Sequence, residues 1–257
     1  MSFKEKLVSK VATFLKVNLQ KLAYEGKGIT NETNPEKNGE MKALAGLFSD
    51  SSSTSIFFDI GANVGDFSKL VCQRFPSATV FSFEPNPNSF SSLQAEMASH
   101  EKCETINAGL GSEGGKQLLH YYKSSKKSSH ASVFRDVLTD IHGRKDTEYV
   151  EVQITTIDDF CAEREIGRID FLKIDTEGSE LAVLQGATKL LSSGVIHAIQ
   201  FEFNEMNIVS RVFLKDFYDL LKGYKFFRIS SKGLLPLGSY NTRNEIFRMQ
   251  NILAVKE

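Results

Sequence analysis

Five carboxylates in this chain stand where an apolar run gives way to a turn: Asp59, Glu84, Asp175, Glu177 and Glu202. A carboxylate at such a junction can accept hydrogen bonds from the two vicinal hydroxyls of a ribose, or take a proton from a reacting hydroxyl. Asp59 opens the turn Asp59-Ile60-Gly61-Ala62-Asn63-Val64-Gly65. Its glycines let backbone approach a ligand with no Cβ in the way. Dinucleotides and S-adenosylmethionine are the two ligand classes that such strand-to-helix turns bind. The Gly-x-x-x-Gly spacing departs from the G-x-G-x-x-G that brings a helix N-terminus onto a pyrophosphate. A carboxylate at Asp59 would repel phosphate and favour the ammonium and sulfonium of S-adenosylmethionine. Glu84, framed by Pro85 and Pro87, follows Gly61 by roughly the 20 residues expected of an acid that grips a ribose. That acid alone does not separate the two ligands.

Those acids need a scaffold that brings them to one edge. Ile56–Ile60 is a compact apolar run after the serine cluster 51–55, and a helix opens at Asp66 with Phe67, Leu70 and Val71. Strand Thr79–Phe83, helix Asn88–Ser99 and strand Glu104–Asn107 follow, the last ending at Ala108-Gly109. Strand and helix alternating at this rhythm predict a parallel sheet, with ligands at the carboxyl ends of its strands. The rhythm breaks over residues 111–153, which hold strands Gln117–Tyr122 and Tyr149–Ile154 around a polar tract at 123–132. This reads as an insertion beside the ligand-binding edge, where loops carry substrate contacts.

Alternation resumes with helix Thr156–Glu165, strand Ile169–Ile174, helix Ser179–Leu191, strand Val195–Phe203 and helix Phe213–Lys222. Two further strands, Tyr224–Ile229 and Asn251–Val255, are joined by a long polar segment. The expectation is a Rossmann-like α/β fold: a seven-stranded, mostly parallel sheet with an antiparallel last strand and helices on both faces. Residues 51–257 form that domain. Residues 1–50 form an N-terminal helical extension: an amphipathic helix over 1–25, a loop over 26–39 and a short helix over 40–48. Phe3, Leu7, Val11, Phe14, Leu15, Leu19 and Leu22 recur at helical spacing in the first helix. Their continuous stripe predicts packing on the domain in preference to lipid binding.

A chain of 257 residues with 41% hydrophobic content can bury one large core. The formal net charge of −1 argues against a nucleic-acid partner, because phosphate-tracking surfaces are basic. Cys72, Cys103 and Cys161 have no C-x-x-C pairing and read as buried thiols in a reducing compartment. No run reaches the ~20 apolar residues of a membrane span, and no signal-peptide pattern opens the sequence. A cytoplasmic protein is expected, with assembly into a homo-oligomer left open.

Several blocks resemble one family. They are Phe58-Asp59-Ile60-Gly61-Ala62-Asn63-Val64-Gly65, Phe83-Glu84-Pro85, Val152–Phe160, and Phe171-Leu172-Lys173-Ile174-Asp175-Thr176-Glu177-Gly178-Ser179-Glu180-Leu181 continuing to Ala187. The chain closes with Gly223-Tyr224 and Asn251–Val255. Together these resemble the FkbM family of S-adenosylmethionine-dependent methyltransferases, from about residue 55 to the end. The resemblance implies a class I methyltransferase fold that methylates a hydroxyl on a sugar, glycan or natural-product scaffold. The strand-end positions place the expected donor site at Asp59, Gly61, Asn63, Gly65, Glu84, Pro85, Asn107, Gly109 and Asp175.

Methyl transfer is an in-line displacement at an activated carbon, so alignment and water exclusion dominate. A hydroxyl acceptor also gains from a base. Asp175, Glu177, Glu202 and His130 are the candidates. Glu177 could instead be a carboxylate favoured by a helix dipole, Glu202 a solvent acid, and His130 an exposed loop residue. Such acids could share a divalent cation such as magnesium, but three acids do not define a metal site. Two rivals stand beside this reading. One is a scaffold that binds the donor without catalysis; the other is an NAD-dependent oxidoreductase, which the absent third glycine disfavours.

Overall fold

The computed structural model of the chain describes residues 2–48, 54–123 and 131–257. Four helices precede the sheet: α1 (Phe3–Phe14), α2 (Leu19–Gly26), α3 (Pro35–Asn38) and α4 (Glu40–Leu47). Then come β1 (Ile56–Ile60), α5 (Asp66–Arg74), β2 (Thr79–Phe83), α6 (Pro87–Met97) and β3 (Cys103–Ile106). The insertion supplies β4 (Gly109–Leu110), β5 (Gly115–Tyr122), a π-helical turn Val137–Ile141 and β6 (Thr147–Thr155). The chain continues through α7 (Ile157–Glu163), β7 (Ile169–Ile174), α8 (Glu180–Gln185), α9 (Thr188–Ser193) and β8 (Ile196–Phe203). It ends with α10 (Met206–Ser210), α11 (Leu214–Leu220), β9 (Tyr224–Ser230), β10 (Gly233–Pro236) and β11 (Gln250–Lys256).

The main sheet runs β10-β9-β11-β8-β7-β1-β2-β3. Five neighbours, from β3 to β8, are parallel. β11 enters antiparallel between β8 and β9. The expected seven strands are therefore present, and β10 adds an eighth. It comes from the segment read as a polar connection, where Gly233 at φ 129° lets the chain fold back onto β9.

Consecutive side chains on each strand point to opposite faces, and the apolar runs fill both. Phe58, Phe83, Leu172, Phe201 and Phe217 pack on one side. Phe57, Phe67, Val71, Phe171 and Leu253 pack on the other, together with Ala43 and Leu44 of α4. Helix α4 is thus part of the domain core, although it falls within the first fifty residues.

Three local expectations are corrected. Residues 1–25 form two helices, because Lys16 takes a left-handed φ of 53° and Asn18 caps a new start by accepting from the Lys21 amide at 2.9 Å. The stretch 26–39 is not all loop: Pro35 at the first helical position and Asn34 as its cap start α3. The helix expected over Ser179–Leu191 breaks at Gly186, where a Cβ would lie 2.0 Å from the carbonyl oxygen of Gly111. Asp158 then caps α9, accepting from the Lys189 and Leu190 amides at 2.8 and 3.1 Å.

The apolar stripe of the first helices is not packed on the domain. Phe3 is 82% exposed and Phe14 is 86% exposed. Periodicity defines an apolar face but not what covers it.

Candidate functional site

Strand register brings the acids together. Ile60 lies opposite both Phe83 and Ile174, and Ile174 lies opposite Phe201. One step beyond, Glu84, Gly61, Asp175 and Glu202 therefore form a row along the carboxyl edge. Two cavities open there, of about 520 and 590 Å3, and they share Gly61, Asn63 and Asp175. Glu84, Pro85, Gly109 and Glu177 line the first, and Asp59 lines the second.

Glu84 is held by its own turn. One carboxylate oxygen accepts from the Asn63 amide at 2.9 Å, the other from the Asn86 amide at 2.8 Å. Burial pushes its pKa up to about 7, with those two amides pulling the other way. Each oxygen keeps a lone pair beyond its amide partner. Asn63, at φ 50°, has a buried side-chain oxygen with no hydrogen-bond partner among the described residues. Asn107 lines neither cavity. Its amide nitrogen donates to the carbonyls of Glu84 and Pro85 at 2.8 and 3.2 Å, fixing the turn that presents the acid.

The glycines serve close packing more than open space. A Cβ on Gly61 would sit 1.8 Å from the Asp175 carbonyl oxygen, so this residue lets β1 and β7 close up beneath the cavities. Gly65, at φ 97°, faces Leu93 and Met97 of α6 and lines neither cavity. On Gly109 a Cβ would lie 2.7 Å from Ile154 Cδ1, which lets β6 lie over the edge.

Asp59 sits below the turn, only 2% exposed. Its Oδ2 accepts from the Ser68 hydroxyl at 2.6 Å, and its Oδ1 lies 3.8 Å from Lys173 Nζ. The same ammonium is 3.1 Å from Asp175 Oδ2 and 5.0 Å from the centre of the Phe67 ring. Burial works against the Lys173 charge, but Asp175, Asp59 and Glu40 outweigh it and hold the pKa above the usual lysine value. Burial raises the carboxyls of Asp59 and Glu40, with Lys173 opposing in both. Asp59 therefore faces an internal lysine while also lining the second cavity.

The Asp175-Thr176-Glu177-Gly178 turn is built by Glu180. Its Oε1 accepts from the Thr176 amide, the Thr176 hydroxyl and the Gly178 amide at 2.9, 3.0 and 3.1 Å. Glu177 takes φ 56° and Gly178 φ 108°. This conformation directs Glu177 to the first cavity, where Ser132 donates to its carbonyl at 2.8 Å. His142, at the end of the π-helical turn, brings Nε2 to 3.9 Å from Glu177 Oε2. His120 also lines this cavity. Its pKa is lowered, first by burial and then by Arg135.

Neither histidine showed a pattern in the sequence. Both lie in the insertion, and only folding of its hairpin carries them to β7. His130 lies outside the described residues. Glu202 lines neither cavity; its Oε2 accepts from the Asn204 side chain at 2.8 Å. Burial, followed by the charges of Asp175, Glu177 and Glu180, raises its pKa well above the ordinary glutamate value. Among the described residues, no group of three His, Cys, Asp or Glu is arranged to hold a metal ion.

A doubly wound sheet with an antiparallel strand between β8 and β9, and a glycine turn and acid row at its carboxyl edge, is the class I methyltransferase architecture. The METTL16 MTase domain has this fold: TM-score 0.50 at 11% identity, covering 91% of this chain and 76% of that one. Residues 59–226 match the methyltransferase FkbM domain, and the chain belongs to that family. Among its relatives is the 31-O-demethyl-FK506 methyltransferase FkbM of Streptomyces tacrolimicus, 28% identical over 51% of this chain and 58% of that protein. Another is the 2-O-methyltransferase NoeI of Sinorhizobium fredii, 20% identical over 66% of this chain and 72% of that protein. The match to the Streptomyces protein thus spans little more than half of that relative's length.

Proposed function

We propose that this chain transfers a methyl group from S-adenosylmethionine to a hydroxyl of a sugar, glycan or hydroxylated small molecule. The observation that carries the reading is the acid row Glu84, Asp175 and Glu177, set around one cavity at the carboxyl edge. Two relatives with O-methyltransferase names support the choice of oxygen as acceptor.

The residues fit the donor. Glu84 is fixed by two backbone amides and offers lone pairs to a ribose diol. Asn63 has a buried, unbonded side-chain oxygen beside it. Asp175 stands between the two cavities and suits a cationic centre, with Lys173 fixing its carboxylate. S-adenosylmethionine would supply a methyl group already activated by its sulfonium. The chain then has to align the acceptor hydroxyl, exclude water and receive a proton. The apolar wall of Leu119, Val133, Val152 and Ile154 excludes water. We assign the proton to Glu177, which lines the cavity with His142 behind it. Glu202 lines neither cavity, so its carboxyl is set back from the acceptor.

The test is release of S-adenosylhomocysteine across a panel of hydroxylated metabolites and glycans. Donor binding by calorimetry with no turnover on any of them would favour a binding scaffold. Binding of NAD in place of S-adenosylmethionine would overturn the donor assignment.

A pH dependence follows from Glu84. Ribose hydroxyls donate to its carboxylate, so donor binding favours the deprotonated form. With a free-protein pKa of about 7, affinity should rise as pH increases through neutrality and level off above it. Between pH 8 and pH 6 the dissociation constant should increase by roughly tenfold, one proton being released on binding. Calorimetry in buffers of different ionisation enthalpy checks this. Glu84→Gln should flatten the profile; a wild-type profile in that variant would assign the titration elsewhere.

A further inference from the structure

Thirteen large apolar side chains are exposed among the described residues, and nine of them lie in α1, α2 and the turn between them. The other four, Leu118, Tyr149, Ile208 and Phe213, are dispersed along the chain. Scattered exposure of that kind is ordinary, whereas a contiguous patch marks an interaction surface. On α1, Phe3, Leu7, Val11 and Phe14 fall within roughly a quarter turn of one another. Lys6 and Lys10 border one side of that stripe.

Both helices carry their own N-terminal caps. Ser2 and Glu5 form a reciprocal capping box on α1, and Asn18 caps α2. Their attachment to the domain follows at Gly28 and Ile29. Arg228 donates to the Lys27 carbonyl at 3.2 Å, and Gly28 packs against Ile229 and Ser230 of β9.

Charge identifies what would cover this face. Residues 2–25 carry Lys4, Lys6, Lys10, Lys16 and Lys21 against Glu5 and Glu25, in a chain whose formal net charge is −1. All five lysines are exposed. Glu5 is engaged in the α1 cap and Glu25 lies 3.8 Å from Lys21. A second copy would bring lysines against lysines, whereas an anionic lipid surface takes both features at once. Its headgroups meet the lysines and its acyl boundary takes the phenylalanines.

We propose that α1 and α2 dock this protein on anionic membrane surfaces, lying in the interface without crossing the bilayer. No helix among the described residues is long and apolar enough to span one. Docking would also set the domain's orientation, because the chain passes from Ile29 directly to Thr33–Glu36 and Glu40 at the second cavity.

The test is co-sedimentation of the full chain with phosphatidylcholine vesicles, with and without about a third phosphatidylserine. Binding is expected to the anionic vesicles and to weaken as salt is raised. Lys6→Glu with Lys10→Glu should lower partitioning at least ~25-fold, at about fivefold per lysine. Leu7→Gln with Phe14→Gln should lower it at least ~10-fold by removing the acyl-facing side chains. Both pairs are exposed, so folding is not at stake. Absent binding, equal binding to the neutral vesicles, or binding untouched by both pairs would overturn the proposal. So would a dimer, seen by sedimentation equilibrium and lost in Leu7→Gln/Phe14→Gln, in a protein that ignores vesicles. Each readout is independent of methyl transfer.

Discussion

Glu177→Gln is expected to lower kcat by ~10²–10⁴-fold, the usual contribution of a positioned general base. Donor affinity should stay near the wild-type value. Glutamine keeps the shape and hydrogen-bonding reach of the side chain but cannot hold a proton as the methyl–oxygen bond forms. The effect is therefore confined to a step in which the acceptor hydroxyl is reacting. The turn should survive the change, because Glu180, not the Glu177 side chain, accepts its hydrogen bonds. His142→Gln should produce a smaller fall and move the pH–rate profile, since His142 reaches Glu177 only from 3.9 Å. Stopped assays of S-adenosylhomocysteine formation at saturating donor would measure both. Wild-type turnover in Glu177→Gln would remove it as the base and make His130 the next residue to replace.

The second large effect concerns stability. Lys173→Met keeps an unbranched side chain of similar length and deletes the ammonium among Asp59, Asp175 and Glu40. Breaking a buried ion pair from one side costs ~3–5 kcal/mol, because the remaining charge stays enclosed without a partner. Urea denaturation at neutral pH should show a loss of that size. The sign of its pH dependence follows from the acids. Asp59 and Glu40 already have folded-state pKa values raised above the ordinary ones, with Lys173 opposing the rise. Without Lys173 those values climb further. An acid with a raised folded pKa destabilises the fold above that value and not below its unfolded pKa. The penalty should accordingly shrink as pH falls toward the ordinary carboxylate range. Lys173→Met with Asp59→Asn should recover part of the stability. A loss below ~1 kcal/mol in the single variant would mean that the acids are neutral in the native protein.

Much of this was legible in the order of residues. Apolar runs ending in glycine or an acid located the five parallel strands, and strand register then forces Glu84, Gly61 and Asp175 into one row. Glu180 illustrates what a motif reading leaves out. Spacing placed it in the first turn of a helix, but its three accepted hydrogen bonds build the turn that aims Glu177. Gly61 and Gly65 were read as space for a ligand; Gly61 lines both cavities and also lets the Asp175 carbonyl come close, while Gly65 packs against Leu93. A glycine signals close approach without saying to what. His142 was illegible because nothing in its own neighbourhood points to Glu177, 35 residues ahead in the chain. The stripe over residues 3–22 was legible as a face, and its exposure was not.

Strands β4, β6 and β5 form a second, three-stranded sheet beside the carboxyl edge. β5 and β6 pair over eight residues, from Gly115 opposite Ile154 to Tyr122 opposite Thr147, so this hairpin satisfies its own backbone. Ile154 of the hairpin and Pro85 of the main-sheet edge come together at Gly109, and Ser132 ties the insertion to Glu177. On the proposed reading, the grip on the donor belongs to the main sheet and the choice of acceptor to the hairpin. The two can change at different tempos: new side chains on one wall can be tried in succession while the opposite wall keeps the same methyl donor. A lineage built this way can diversify what it modifies without reinventing how it modifies.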